Sequence, residues 1–97
     1  MKEYRIEYRI VCDRVDVDAK GHSLVITEVR PINESGQIIT TVFTDKENAE
    51  MAKVRYEAFG KTYEEKSKAN MLAYPSLFRA RHQYNYRIQS REVTDWE

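Results

Sequence analysis

Tyr4-Arg5-Ile6-Glu7-Tyr8-Arg9-Ile10 near the start of the chain is answered by Tyr84-Asn85-Tyr86-Arg87-Ile88 near its end. Both stretches alternate apolar and polar residues with a period of two, the pattern of a β-strand with one buried face. In the first, Tyr4, Ile6, Tyr8, Ile10 and Cys12 share one face, and Arg5, Glu7, Arg9 and Val11 share the other. The charge-free set is expected on the core, because three charges are costly to bury together. The first and last elements are therefore expected in one sheet, with the middle of the chain folded over it. That closes residues 1–97 into a single α+β domain, a size that supports one modest core.

Between these ends the chain punctuates itself. Asp13-Arg14-Val15-Asp16-Val17-Asp18 extends the first alternation past a bulge, and Lys20-Gly21 reads as a turn. Residues 23–30 form a second strand, with Pro31 ending it or sitting in a bulge because proline cannot donate to a ladder. Asn33-Glu34-Ser35-Gly36 is a turn. Residues 37–43, with Ile38, Ile39, Thr40, Thr41 and Val42, form a third strand that is expected to make a hairpin with the second. Thr44-Asp45-Lys46-Glu47 is a capping box. Behind it Ala49, Ala52, Tyr56, Phe59 and Tyr63 recur three and four apart on one helical stripe, which Met51, Val54 and Ala58 widen. Ser67 and Asn70 then fall where apolar residues are due, and Thr62-x-x-Glu65 offers a second cap. The favoured reading is two helices broken near Gly60, with one helix running to Ala73 as the alternative; Pro75 stops either. The last strand covers about residues 83–93. The order is βββα(α)β: a mainly antiparallel sheet of about four strands with helices packed on one face.

Phe43-Thr44-Asp45-Lys46-Glu47-Asn48-Ala49-Glu50, coming after three strands, resembles the strand-to-helix step of the small N-terminal DNA-binding module of phage-type integrases. The resemblance covers about a third of the chain. The second helical stretch and fourth strand depart from it.

Composition narrows the function classes. Sixteen basic and sixteen acidic side chains cancel, so the molecule as a whole carries no field that demands nucleic acid or a membrane. Cys12 is the only cysteine, which fits a reducing compartment. The first residues enter an alternating strand with no apolar leader, and no apolar run approaches the roughly 18 residues of a membrane span. The expectation is a cytoplasmic protein that does not contact membranes, of a size that suits a phage or accessory bacterial protein.

Catalytic equipment is sparse. Asp13-x-x-Asp16-x-Asp18 opens like a calcium loop, but neither register supplies both the glycine and the closing glutamate. His22, His82 and Cys12 do not form the close pairs of a zinc site. No serine sits in a Gly-x-Ser-x-Gly elbow, and Gly21, Gly36 and Gly60 are too dispersed to cradle a phosphate. No cofactor, metal site or enzymatic activity is expected.

Charge is unevenly spread. Residues 1–65 carry ten basic and thirteen acidic side chains; residues 66–91 carry six basic (Lys66, Lys68, Arg79, Arg81, Arg87, Arg91) and no acidic ones. Tyr74, Phe78, Tyr84 and Tyr86 interleave with them, a mixture that binds phosphates and stacks on bases. If the end strands are neighbours, Arg5 and Arg9 join this set. The expected function is non-enzymatic macromolecule binding through an arginine-rich sheet face of Arg5, Arg9, Arg79, Arg81, Arg87 and Arg91. A protein partner comes first. The alternative is a nucleic-acid-binding accessory module using residues 66–91. Against both stands internal pairing of these arginines with Glu7, Glu28 or Glu92. A homodimer through a sheet edge is a further expectation.

Overall fold

A computed structural model of the chain describes residues 4–94. The tail residues 95–97 and the side chain of Tyr4 lie outside that description. Three strands and one helix follow in order: β1 (Tyr4–Val17), β2 (Ser23–Val29), α1 (Lys46–Ala73) and β3 (Ala80–Thr94). The sheet is antiparallel with β1 in the centre, in the order β2-β1-β3. The echo between the two ends is thus a real pairing: β1 and β3 are matched from Tyr4↔Thr94 to Val17↔Ala80. Fourteen residues at about 3.3 Å each make a ribbon of roughly 46 Å, and the molecule is correspondingly elongated, 59 × 21 × 19 Å.

The expected third strand does not form. Residues 37–43 touch neighbours through single bridges only, Ile32↔Ile38 and Tyr8↔Phe43. β2 pairs with β1 instead, through the turn at 18–22. The β-branched run fits a half-buried surface, which is what strand propensity measures, but its backbone is spent on local closure. Asn33 N–H donates to Gln37 O at 3.0 Å and Ile39 N–H to Pro31 O at 2.8 Å before Phe43 reaches Tyr8. The order of three strands followed by a helix is therefore absent.

The helix is also single. Asp45, not Thr44, is its N-cap, accepting from Glu47 N–H at 2.8 Å. Gly60 does not break it; the glycine is buried because α1 needs it to approach β3, and a methyl group there would run into the Tyr86 hydroxyl. Ser67 does not mark a loss of phase either. It is buried, donates to Glu64 O at 2.9 Å and accepts from Arg81 N–H at 2.9 Å, so it satisfies a donor on the outer edge of β3. The inward line runs through Ala49, Ala52, Gly60 and Ser67, with Tyr56, Phe59 and Tyr63 half-buried beside it. Met51, Val54 and Ala58 point the other way and are exposed.

The core sits where β1 is covered on both sides. Ile10, Val11 and Cys12 are consecutive yet all buried, together with Pro31, Ile32, Ala49 and Ala52. Ile6, expected in the core, is 45% exposed, because the ribbon runs beyond the helix and the connecting segment.

The Gly60 contact gives a test that opposes helix propensity. Gly60→Ala in a solvent-exposed helix would add about 1 kcal/mol of stability. Here overpacking against Tyr86 is expected to win, at a net cost of about 1–3 kcal/mol. Tyr86→Phe, which removes the colliding oxygen, should recover part of that loss in the Gly60→Ala background. Chemical denaturation of the four proteins decides it, and a more stable Gly60→Ala would refute this packing.

Candidate anion-binding site

The site begins with two bulges at one level of β1. Between Val11 and Asp13 one residue of β1, Cys12, faces two of β3, Asn85 and Tyr86. Between Cys12 and Arg14 one residue, Asp13, faces two of β2, Thr27 and Glu28. The surplus brings Asn85 and Glu28 to φ of 54° and 57°. Asparagine tolerates that region; glutamate rarely enters it, so this backbone must be held. Asp13 holds both. Its carboxylate accepts from Glu28 N–H at 3.2 Å, Asn85 Nδ2 at 2.9 Å and Arg87 Nη1 at 3.3 Å. The Asn85 and Glu28 donors, with Arg87 beside them, keep the Asp13 carboxyl below its usual range.

The acidic run splits into separate duties. Asp16 is buried between Arg14 Nε (3.4 Å) and Arg81 Nε (3.3 Å). Asp18 closes the β1–β2 turn by accepting from the N–H groups of Lys20 and His22, both at 2.9 Å. Among the described residues no three potential metal ligands converge. Cys12 is fully buried, and burial with Asp13 nearby pushes its thiol up to about 11, which leaves it protonated and inert at neutral pH.

The six arginines expected on one face separate. Arg81 is committed to Asp16 and lies 5.6 Å over the Tyr63 ring. Arg87 is committed to Asp13 and, at 3.6 Å, to Glu28. Both are structural, so reversing Arg87 would set a carboxylate against two others. Arg79 is exposed at the opposite end of β3 from Arg91, about 40 Å away at the strand rise. Arg5 is exposed on the ribbon, in register with Val93. Arg9 and Arg91 do come together. They line a cavity of about 480 Å³ whose floor is Glu7, Arg9, Gln89 and Arg91, with Tyr8 and Ser90, and whose wall is Arg30 and Val42.

Inside this cavity the positive charges are unequally satisfied. Arg91 sends Nε (3.2 Å) and Nη2 (2.9 Å) to one oxygen of Glu7. Arg9 Nε donates only to the neutral amide of Gln89, at 2.8 Å. Arg30 has no hydrogen-bond or ion-pair partner among the described residues. Three guanidinium groups thus meet one carboxylate. Fork-shaped donors with unused N–H groups suit carboxylates and phosphates. Arg30 escapes a reading by sequence because it stands outside the acid-free stretch. Its placement follows from β2 pairing with β1: the pairing ends at Cys12↔Val29, and the next residue, Arg30, lines the same cavity as Arg9.

The acid-free stretch is neutralised from elsewhere. Glu64 takes Lys68 at 3.0 Å and also His82, while Asp16, Asp13 and Glu7 take Arg81, Arg87 and Arg91. Burial alone would raise the Glu64 carboxyl, but its bonds to His82 and Lys68 outweigh this and hold it low. No protein-family model, curated protein or solved structure matches the chain. No helix among the described residues is long and apolar enough to cross a membrane.

A pH dependence follows. Asp13 and Glu64 are both depressed in the folded chain, so folding favours their charged forms. The stability they supply is complete above the unfolded carboxyl range near pH 4 and is lost as pH falls through their lower folded values. Lys68, raised by its bond to Glu64, has the opposite sign and matters only as pH climbs past about 10. Urea midpoints should therefore be level from about pH 6 to 8 and drop below about pH 4. Asp13→Asn should lower the plateau and flatten the acid limb; an unchanged acid limb would show that Asp13 does not hold the bulges.

Proposed function

We infer that this chain is a small non-enzymatic binding protein that takes an acidic segment of a protein partner into the cavity between Arg9, Arg30 and Arg91. The observation that carries this reading is the excess of guanidinium over carboxylate in one concave, partly apolar space. Arg9 and Arg30 supply the open charge, and Tyr8 and Val42 supply apolar wall for a side chain next to the acidic group. The lining contains no histidine, and its one carboxylate, Glu7, is bonded to Arg91 through Nε and Nη2. A carboxylate-bearing segment suits the cavity better than nucleic acid does. A duplex or single strand needs a continuous basic track, and in residues 66–91 most cations already have acidic partners. Nucleic acid binding through that stretch would rest mainly on Lys66 and Arg79.

Fluorescence anisotropy with a labelled glutamate-rich peptide and, separately, a labelled DNA duplex tests the reading. Charged hydrogen bonds are worth about 1.5–3 kcal/mol each, so Arg9→Glu or Arg30→Glu should weaken peptide binding by about tenfold or more with the circular dichroism spectrum unchanged. Arg79→Glu should leave it alone. A folded Arg9→Glu/Arg30→Glu double variant with wild-type peptide affinity would sink the cavity. Tighter binding to DNA, with log affinity falling by about 0.9 per phosphate against log salt, would favour the nucleic-acid alternative.

A further inference from the structure

Helix α1 has a second apolar face. Counting 100° per residue, Met51, Val54, Ala58, Ala69 and Leu72, with Thr62 and Glu65 between them, fall within about 80° of arc. That arc lies opposite the buried line of Ala49, Ala52, Gly60 and Ser67. All of it faces solvent, with Met51 66%, Val54 68% and Leu72 80% exposed. A surface helix has one apolar stripe; a helix that is apolar on opposite sides is packed on opposite sides.

We propose that this outer face packs antiparallel against the same face of a second copy of the chain. The argument is self-complementarity. A two-fold interface requires that if residue i meets residue j, then j meets i. An antiparallel pair centred between Lys61 and Thr62 does this along the whole stripe: Met51 meets Leu72, Val54 meets Ala69, and Ala58 meets Glu65. A bulky residue is set against a bulky one at each end, and a smaller pair lies inside. A different protein as occupant would place no such condition on the spacing.

The charges agree. Glu65 is the one charge on the stripe. The side chains of Glu65, Arg55 and Lys61 form no hydrogen bond or ion pair among the described residues, though Lys68 is near enough to feel the Glu65 charge. In the paired register Glu65 lies against the small side chain of Ala58 of the second copy. Arg55 and Lys61 of that copy stand one on each side, each three residues or about 4.5 Å along the axis. All three unpaired charges thus find partners at once. The contact spans 22 residues, about 32 Å, at the usual interaxial distance of 8–10 Å. That places it toward the small end of stable interfaces, so micromolar dissociation is expected.

Sedimentation equilibrium of the full chain, from about 1 to about 200 µM to bracket that range, should give twice the 11.5 kDa chain mass at the upper end. Val54→Glu and Glu65→Arg alter residues exposed in the single chain and should keep its circular dichroism spectrum. Each should weaken dimerisation at least about tenfold, Glu65→Arg by losing a charged contact and Val54→Glu by setting a charge among apolar side chains. Arg55→Glu and Lys61→Glu added to Glu65→Arg should restore it. Val54→Cys with Ala69→Cys should cross-link into a covalent dimer on mild oxidation, since the two positions are too far apart to join within one chain. A monomer at every concentration overturns the proposal. So does a dimer indifferent to Val54→Glu and Glu65→Arg, which would point to pairing at a sheet edge.

Discussion

The Asp13 carboxylate stands at the one level of the sheet where both neighbours of β1 carry an extra residue, and it binds to each of them. Bulges bend and twist a strand, so two at the same height turn the whole sheet there. The consequences spread from that point. Past the bulges, Ile10, Val11 and Cys12 are covered on both sides, while Arg9 and Arg91 come to share the floor of the cavity. Before them, Gln83 and Arg81 turn toward α1 and Asp16. One carboxylate thus determines which side chains the two halves of the ribbon present.

The same economy governs charge. Residues 66–91 look strongly basic along the chain, but the folded chain supplies each of several cations with an acid from β1 or from α1. Paired surface charges contribute little stability individually, about 0–1 kcal/mol. Their effect here is to erase a field along that stretch: around the cavity, Arg9 is bonded to a neutral amide and the Arg30 side chain has no partner among the described residues. Net charge counted over a sequence window measures composition. The charge open to a partner depends on pairing in space.

Pairing of the two ends was legible because period-two alternation in β1 and β3 survives any context, and helix presence was legible from the three-four spacing after Phe43. Gly60 and Ser67 misled because glycine and serine inside a helix usually signal a stop, whereas both are inward contacts to β3, one by lacking a side chain and one by hydrogen bonding. The β-branched residues 38–42 misled because propensity reports fit to a surface and not the supply of backbone partners. Of the site, Arg9 and Arg91 could be found from strand register. Arg30 could not, since its neighbour was unknown until β2 was seen to pair with β1. Val42 and the bulges have no sequence signature beyond Asn85, one of the few residues at ease with positive φ.

The central strand is also made before either of its partners. β1 has its longest partner in β3, so residues 4 and 94 must meet. A chain emerging from the ribosome can close the β1–β2 turn and wind α1 long before residue 80 exists, but one edge of β1 stays open for the whole interval. Pairings this distant in sequence fold slowly, and an unpaired strand edge invites intermolecular pairing. Arg5, Glu7 and Arg9 alternate along that waiting strand, and charged side chains of this kind discourage premature association. Two of these, Glu7 and Arg9, line the cavity of the finished molecule; during synthesis the same charges would guard the open edge against aggregation.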